Sequence, residues 1–135
     1  MKAIDEDTNA FDKVIKAMRM PKDSDIEKEL REEKMQEGYK AATEIPLKTV
    51  EYCCKSLKIC KRISTLMDDN MASDVGSGAH MSMAGAQSAA YNVKINLNSI
   101  KDKTYIHKTE EKLNLILADC QELLDLISKK VEDKM

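Results

Sequence analysis

The sequence has no tryptophan, only four glycines and only two prolines in 135 residues. Many-stranded sandwiches and barrels need turn residues at short intervals, so this scarcity argues against them. Charge of one sign is also lacking: 22 basic and 24 acidic side chains leave a net charge of -2. With no basic surplus, nucleic-acid binding has no electrostatic support. No apolar run approaches the roughly 20 residues that a membrane span requires. The opening Met1-Lys2-Ala3-Ile4-Asp5 has no secretory apolar core, so a cytoplasmic protein is expected.

The four cysteines, Cys53, Cys54, Cys60 and Cys120, form no C-x-x-C pair. No disulfide framework is expected in a reducing compartment, and small core residues are the plain reading. His80 and His107 are the only histidines, too few and too badly spaced for a metal site. There is no phosphate loop and no dinucleotide fingerprint. Nucleophilic catalysis by serine or cysteine has no motif partner.

What is present is a chain 42% hydrophobic and 34% charged. That balance describes one soluble domain covering residues 1–135, with a core of its own. The periodicity is helical throughout. Ile4, Phe11, Val14, Ile15 and Met18 mark a first helix, ended by Pro21. Ser24 and Glu27 form a capping-box pattern that opens a polar second helix. Pro46 then either kinks that helix or begins another. Leu47, Val50, Cys53, Cys54, Leu57, Cys60 and Ile63 give an apolar stripe, which puts three cysteines on a buried face. After the turn Asp68-Asp69-Asn70 comes a helix rich in glycine, alanine and serine. Glycine weakens a helix by roughly 1 kcal/mol relative to alanine, so close approach of another backbone is the expected compensation. This is then a central helix or a dimer seam. A last helix runs from the break Lys101-Asp102-Lys103 to about Val131, with Leu113, Ile116, Cys120, Leu123 and Ile127 as its seam. The expected fold is all-α, a single bundle of about five helices.

Three polar groups stand out. Asp7 lies four and seven residues before Phe11 and Val14, on or beside the apolar stripe. A carboxyl desolvated there has a raised pKa suited to proton transfer; the plain alternative is an acid favoured by a helix start. Ser73 and Asp74 are either ligand contacts or a helix cap. Asn92 and Asn96 are poor interior helix residues at a spacing of four, which marks ligand contacts or interhelical hydrogen bonds. Between positions 40 and 62 there are also six basic and two acidic residues, among them Lys48, Lys55 and Arg62 at intervals of seven. That is a solvated face or a patch for an anionic ligand.

Several pieces of the chain carry a resemblance in consistent order. They are Asp5-Glu6-Asp7-Thr8-Asn9-Ala10-Phe11, Met18-Arg19-Met20-Pro21-Lys22, Ile45-Pro46-Leu47, and Asn70 with Ser73-Asp74. Tyr91-Asn92-Val93-Lys94-Ile95-Asn96-Leu97 and Ile100-Lys101-Asp102 complete the set. From Ile4 to about Leu126 the sequence resembles the cyclodeaminase domain of formiminotransferase-cyclodeaminase and the related methenyltetrahydrofolate cyclohydrolases. The resemblance implies a folate enzyme that closes 5-formiminotetrahydrofolate to 5,10-methenyltetrahydrofolate and releases ammonia. It implies Asp7 as proton donor, with Ser73, Asp74, Asn92 and Asn96 as hydrogen-bonding candidates for the pterin. The basic helix would steer the polyglutamate tail. No cofactor and no metal are implied beyond the tetrahydrofolate substrate, and a homodimer is.

Two departures accompany the match. Family members begin with a further helical segment containing a Pro-Gly-Gly-Gly-Ser turn, so the chain is expected to be an N-terminally truncated domain. Their Gly-Asn is Asp69-Asn70 here. Two alternatives follow: cyclohydrolase activity on the same fold, and a catalytically silent helical module used for oligomerisation.

Overall fold

The second helix starts where its capping residues dictate. Ser24 Oγ accepts from the Glu27 N–H at 3.2 Å, and Glu27 Oε2 accepts from the N–H groups of Ser24 at 2.9 Å and Asp23 at 3.0 Å. This reciprocal arrangement satisfies donors that a helix start leaves open, and it holds the Glu27 carboxyl below its ordinary range. In the computed structural model, which describes residues 12–135, the chain forms four helices: α1 (12–18), α2 (Asp25–Ser64), α3 (Ala72–Leu97) and α4 (Lys103–Glu132). A 3-10 turn, Asp69–Met71, leads into α3. No strand occurs among the described residues.

The bundle has four described helices, close to the about five expected, and Pro46 sits inside α2, whose 40 residues extend about 60 Å. Proline cannot donate to the carbonyl four residues back, here that of Ala42. The structure replaces the missing donor from outside: Asn96 Nδ2 on α3 donates to the Ala42 carbonyl at 3.0 Å. Pro46 and Ala42 are themselves buried, so the carbonyl is satisfied by protein at a place where water has little access.

Helix α3 is the central helix and packs against both α2 and α4. Its buried face is mostly alanine: Ala72, Ala79, Ala86, Ala89 and Ala90. Small residues bring the helices close. A Cβ on Gly85 would stand 3.1 Å from the Cys53 sulfur of α2. Gly38 is the tighter case, since a Cβ there would lie 2.8 Å from Val14 Cγ2 and 3.2 Å from the Val14 amide nitrogen, so α1 rests directly on α2. The fully buried core side chains Val50, Leu57, Val93, Leu113, Cys120 and Ile127 join the three long helices. Each large aliphatic among them contributes about 1.5–3 kcal/mol by leaving water.

The caps differ in two places from the sequence reading. Neither Ser73 nor Asp74 caps α3; Met71 occupies the cap position without a side-chain bond, and Asp68 caps the preceding 3-10 turn through the Met71 N–H at 3.2 Å. The extra turn displaces both residues into the first turn of α3, where the Asp74 carboxylate still faces the positive helix end. Asp102 caps α4 by accepting from the Tyr105 N–H at 3.0 Å. The same carboxylate takes Lys40 at 2.8 Å, while Gln36 accepts from the Lys101 N–H and donates to the Ser99 carbonyl. The α3–α4 connection is thereby latched onto α2.

Candidate functional site

The last turns of α3 carry Tyr91 to Leu97. Val93 and Leu97 are buried and fix the helix against its neighbours. With those two inward, Tyr91, Lys94, Ile95 and Asn98 turn toward α4, as the helical repeat requires. Together with Glu110, Leu113 and Asn114 of α4 they line an open groove of about 670 Å³. A second depression, of about 480 Å³, shares Glu110 and Asn114 and adds His107, Glu111, Leu115 and Ala118, so the concave surface continues along α4. The groove offers an ammonium, a carboxylate, a phenol and two carboxamides beside the apolar surface of Ile95. Such a set suits a planar, hydrogen-bonding ring system that also bears an acid.

The expected site residues are distributed along α3. Asn92 and Asn96 stand one turn apart: Asn92 is exposed, and Asn96 is half-buried and spends its amide on the Ala42 carbonyl. Ser73 and Asp74 are both exposed in the first turn. Eighteen residues separate Asp74 from Asn92, about 27 Å along a helix. The structure therefore brings Asn92 and Asn96 together but holds Ser73 and Asp74 far from them. Asp7 lies outside the described residues.

The basic stretch divides. Lys40 pairs with Asp102 at 2.8 Å and stands 5.2 Å from the Tyr105 ring centre; Lys58 pairs with Asp119 at 3.1 Å. Lys55 stacks on Tyr52 at 5.1 Å. Lys48, Lys61 and Arg62 are exposed, with no carboxylate partner among the described residues. Among the described residues of this stretch, these last three are the ones left available to an anionic ligand.

The residues that the sequence did not single out are Glu110 and Asn114 on α4 and the Tyr105–Glu44 pair. Glu110 and Asn114 stand four apart, yet nothing separates them from other polar residues of that helix. Tyr105 Oη donates to Glu44 Oε1 at 2.8 Å, and burial first, then this carboxylate, pushes the phenol pKa well up. Tyr105 is thus a neutral donor across the accessible pH range. Cys120 is buried against Cys54, and burial, then that neighbour, raises its thiol to about 12. Burial likewise raises the Cys53 thiol. Neither Cys53 nor Cys120 is poised as a thiolate nucleophile near neutrality. Among the described residues, no group of three histidine, cysteine or acidic side chains is arranged to hold a metal ion.

The sequence model for formiminotransferase-cyclodeaminase matches residues 1–115. The chain belongs to the formiminotransferase-cyclodeaminase family. It is 32% identical over 132 residues to a methenyltetrahydrofolate cyclohydrolase of Methylorubrum extorquens, covering 98% of this chain and 64% of that protein. It is 31% identical over 137 residues to the formimidoyltransferase-cyclodeaminase of Gallus gallus, covering 97% of this chain and 24% of that protein. The fold agrees with the crystal structure of a formiminotetrahydrofolate cyclodeaminase from Thermotoga maritima at a TM-score of 0.84 and 24% identity, over 98% of this chain and 62% of the other. This family chain thus spans under two thirds of the cyclohydrolase and about a quarter of the bifunctional enzyme. No described helix is long and apolar enough to cross a membrane.

Proposed function

We propose that the chain is a folate-processing domain that converts 5-formiminotetrahydrofolate to 5,10-methenyltetrahydrofolate and ammonia. N10 attacks the formimino carbon, and the N10 proton ends on the departing nitrogen. A second proton from an acid completes ammonia, and the N5–C–N10 bridge remains as the methenyl cation. Asp7 supplies that second proton, a role typically contributing about 10²–10⁴-fold to rate. Asn92 and the α3–α4 groove receive the ring system, with Lys94 near the acid end of the substrate. The observation that carries the reading is the family match, which runs through the Asp7 segment and all of α3.

The test supplies the formimino-folate and follows the ultraviolet absorbance of the methenyl product together with ammonia release. Asp7→Asn should lower kcat by at least about 10²-fold with a small change in KM. Undiminished turnover in that variant would remove Asp7 from the mechanism.

A second reading is favoured by the relative from Methylorubrum extorquens, which is named a methenyltetrahydrofolate cyclohydrolase and matches 98% of this chain. On that reading the domain interconverts the methenyl and 10-formyl forms by adding or removing water. Offering both substrates side by side separates the two. A chain that binds reduced folate calorimetrically but turns over neither substrate refutes both; one that gives no heat either is the silent module.

A further inference from the structure

The outward side of α2 alternates basic and apolar residues along one line. Lys48, Tyr52, Lys55, Ile59 and Arg62 recur at intervals of four and three and are all exposed; Leu66 continues the line in the turn after the helix. The helical repeat sets this line opposite the buried Val50, Cys54 and Leu57, so it is turned away from the core. Tyr52 is 64% exposed, Ile59 57% and Leu66 86%, and the less exposed Ile63 widens the apolar strip. An ordinary outer helix face is polar there; large apolar side chains gathered in one strip have the composition of a contact surface.

The cations of the line are unspent. Between Lys48 and Leu66 the one acid is Glu51, and Lys112 of α4 takes it at 2.7 Å. Glu44, one turn before Lys48, accepts from Tyr105 at 2.8 Å. Lys48, Lys55 and Arg62 have no carboxylate partner among the described residues. Lys55 lies 5.1 Å from the Tyr52 ring centre, so cation and apolar strip form one patch.

This patch selects its occupant. Alternating steps of four and three are the register in which a second helix seats its side chains. A polyglutamate tail would match the three cations but leave Tyr52, Ile59 and Ile63 in water. The same strip of a second copy would match the apolar residues but bring no carboxylate to the cations. A helix whose apolar ridge is flanked by Asp or Glu meets both demands.

We propose that the outward face of α2, from Lys48 to Leu66, docks an acidic amphipathic helix of a separate protein. Its apolar residues cover Tyr52, Ile59 and Leu66, and its carboxylates face Lys48, Lys55 and Arg62. The contact runs about 21 Å along α2 from Lys48 to Arg62. None of these residues lines the groove between α3 and α4, so the proposal does not depend on the reaction assigned above.

The experiment titrates the 135-residue chain with a synthetic helical peptide of about three heptads, leucine at its seam positions and glutamate beside them. A scrambled peptide of the same composition, hexaglutamate and phosphatidylserine vesicles are titrated alongside. The helical peptide should form a one-to-one complex with a Kd of about 100 µM or tighter and slow amide exchange in the second half of α2. The scrambled peptide and hexaglutamate should bind at least about tenfold more weakly. Ile59→Glu and Lys55→Glu should each weaken the complex by about tenfold or more, and a peptide carrying lysine for the facing glutamate should recover Lys55→Glu. Both positions are exposed, so the helicity and Tm of the variants should match the parent. Met81→Glu, on the exposed side of α3, should bind like the parent. The proposal is overturned by the absence of a complex at about 100 µM, or by a complex indifferent to Ile59→Glu. Hexaglutamate or scrambled peptide binding as well as the helix overturns it too, since charge alone then suffices. So does preferential binding to the vesicles, or a homodimer that Ile59→Glu dissociates, since a lipid surface or a second copy is then the occupant.

Discussion

Asn96 is a folate-site candidate by sequence and a structural donor by geometry, and the two roles separate experimentally. Its side-chain amide lies 3.0 Å from the carbonyl that Pro46 leaves without a helical partner. Removing the amide by Asn96→Ala strands a buried acceptor, which costs about 1–3 kcal/mol. Alanine returns roughly 0.5 kcal/mol of helix propensity, so the net loss is about 0.5–2.5 kcal/mol. For a chain of this size that lowers Tm by several degrees, at roughly 3–5 °C per kcal/mol. The decisive comparison is a double-mutant cycle with Pro46→Ala. Alanine at position 46 restores an N–H aimed at the Ala42 carbonyl, so Asn96→Ala should then cost about 1 kcal/mol less than it does beside proline. Urea unfolding of the four proteins yields the coupling. Equal costs in the two backgrounds would refute the reasoning. An unchanged midpoint with a raised KM would return Asn96 to the ligand.

Gly38→Ala places a methyl group 2.8 Å from Val14 Cγ2 and near the Val14 backbone. Overpacking costs about 1–3 kcal/mol, enough to exceed the roughly 1 kcal/mol of helix propensity gained, and thermal melts should show a lower Tm that Val14→Ala partly restores. Tyr105→Phe removes the donor to Glu44 and should cost about 0.5–1.5 kcal/mol by urea denaturation, a loss absent when Glu44 is already Ala. The buried thiols Cys54 and Cys120 should label with a disulfide reagent at pH 8 only through unfolding, whereas half-buried Cys53 and Cys60 label faster. Because the folded pKa of Cys120 is raised to about 12, its stabilising contribution is intact below the unfolded thiol's pKa and lost as pH climbs toward 12. The alkaline limb of the stability profile should flatten in Cys120→Ala.

Much of the fold is legible in the sequence because local rules decide it. The Ser24–Glu27 capping box, the seam of α4 and the small-residue helix all stand where pattern and propensity place them. The number of helices is legible to within one; whether Pro46 kinks a helix or begins another is not, since the donor that replaces its missing N–H, Asn96, stands 50 residues away. The cap of α3 is misplaced for a similar reason: Asp68 competes with Ser73 and Asp74 as a cap, and the short 3-10 turn decides for Asp68. The groove between α3 and α4 is invisible in one dimension, since Lys94 and Glu110 come to line it only through packing. Cysteine placement is half legible, with Cys54 and Cys120 buried and Cys53 and Cys60 at the rim.

The residues that carry the family resemblance divide by what the fold asks of them. Ile100 is a core residue, Lys101 pairs with Glu32 at 2.8 Å, and Asp102 caps α4 while holding Lys40. Pro46 and Asn96 satisfy each other's consequences across α2 and α3. Each of these has a structural occupation that would be needed whatever the bundle does. Ser73, Asp74 and Asn92 have none: all three are exposed, and none makes a side-chain hydrogen bond among the described residues. Polar residues without a folding role are the ones to which chemistry can be assigned at little cost to stability. Substituting Asp74 or Asn92 by alanine should therefore leave the urea midpoint within about 1 kcal/mol of the parent, and of the two only Asn92→Ala, beside the α3–α4 groove, should change folate binding. A loss of stability from either change would place it with Asn96 among the residues that build the bundle.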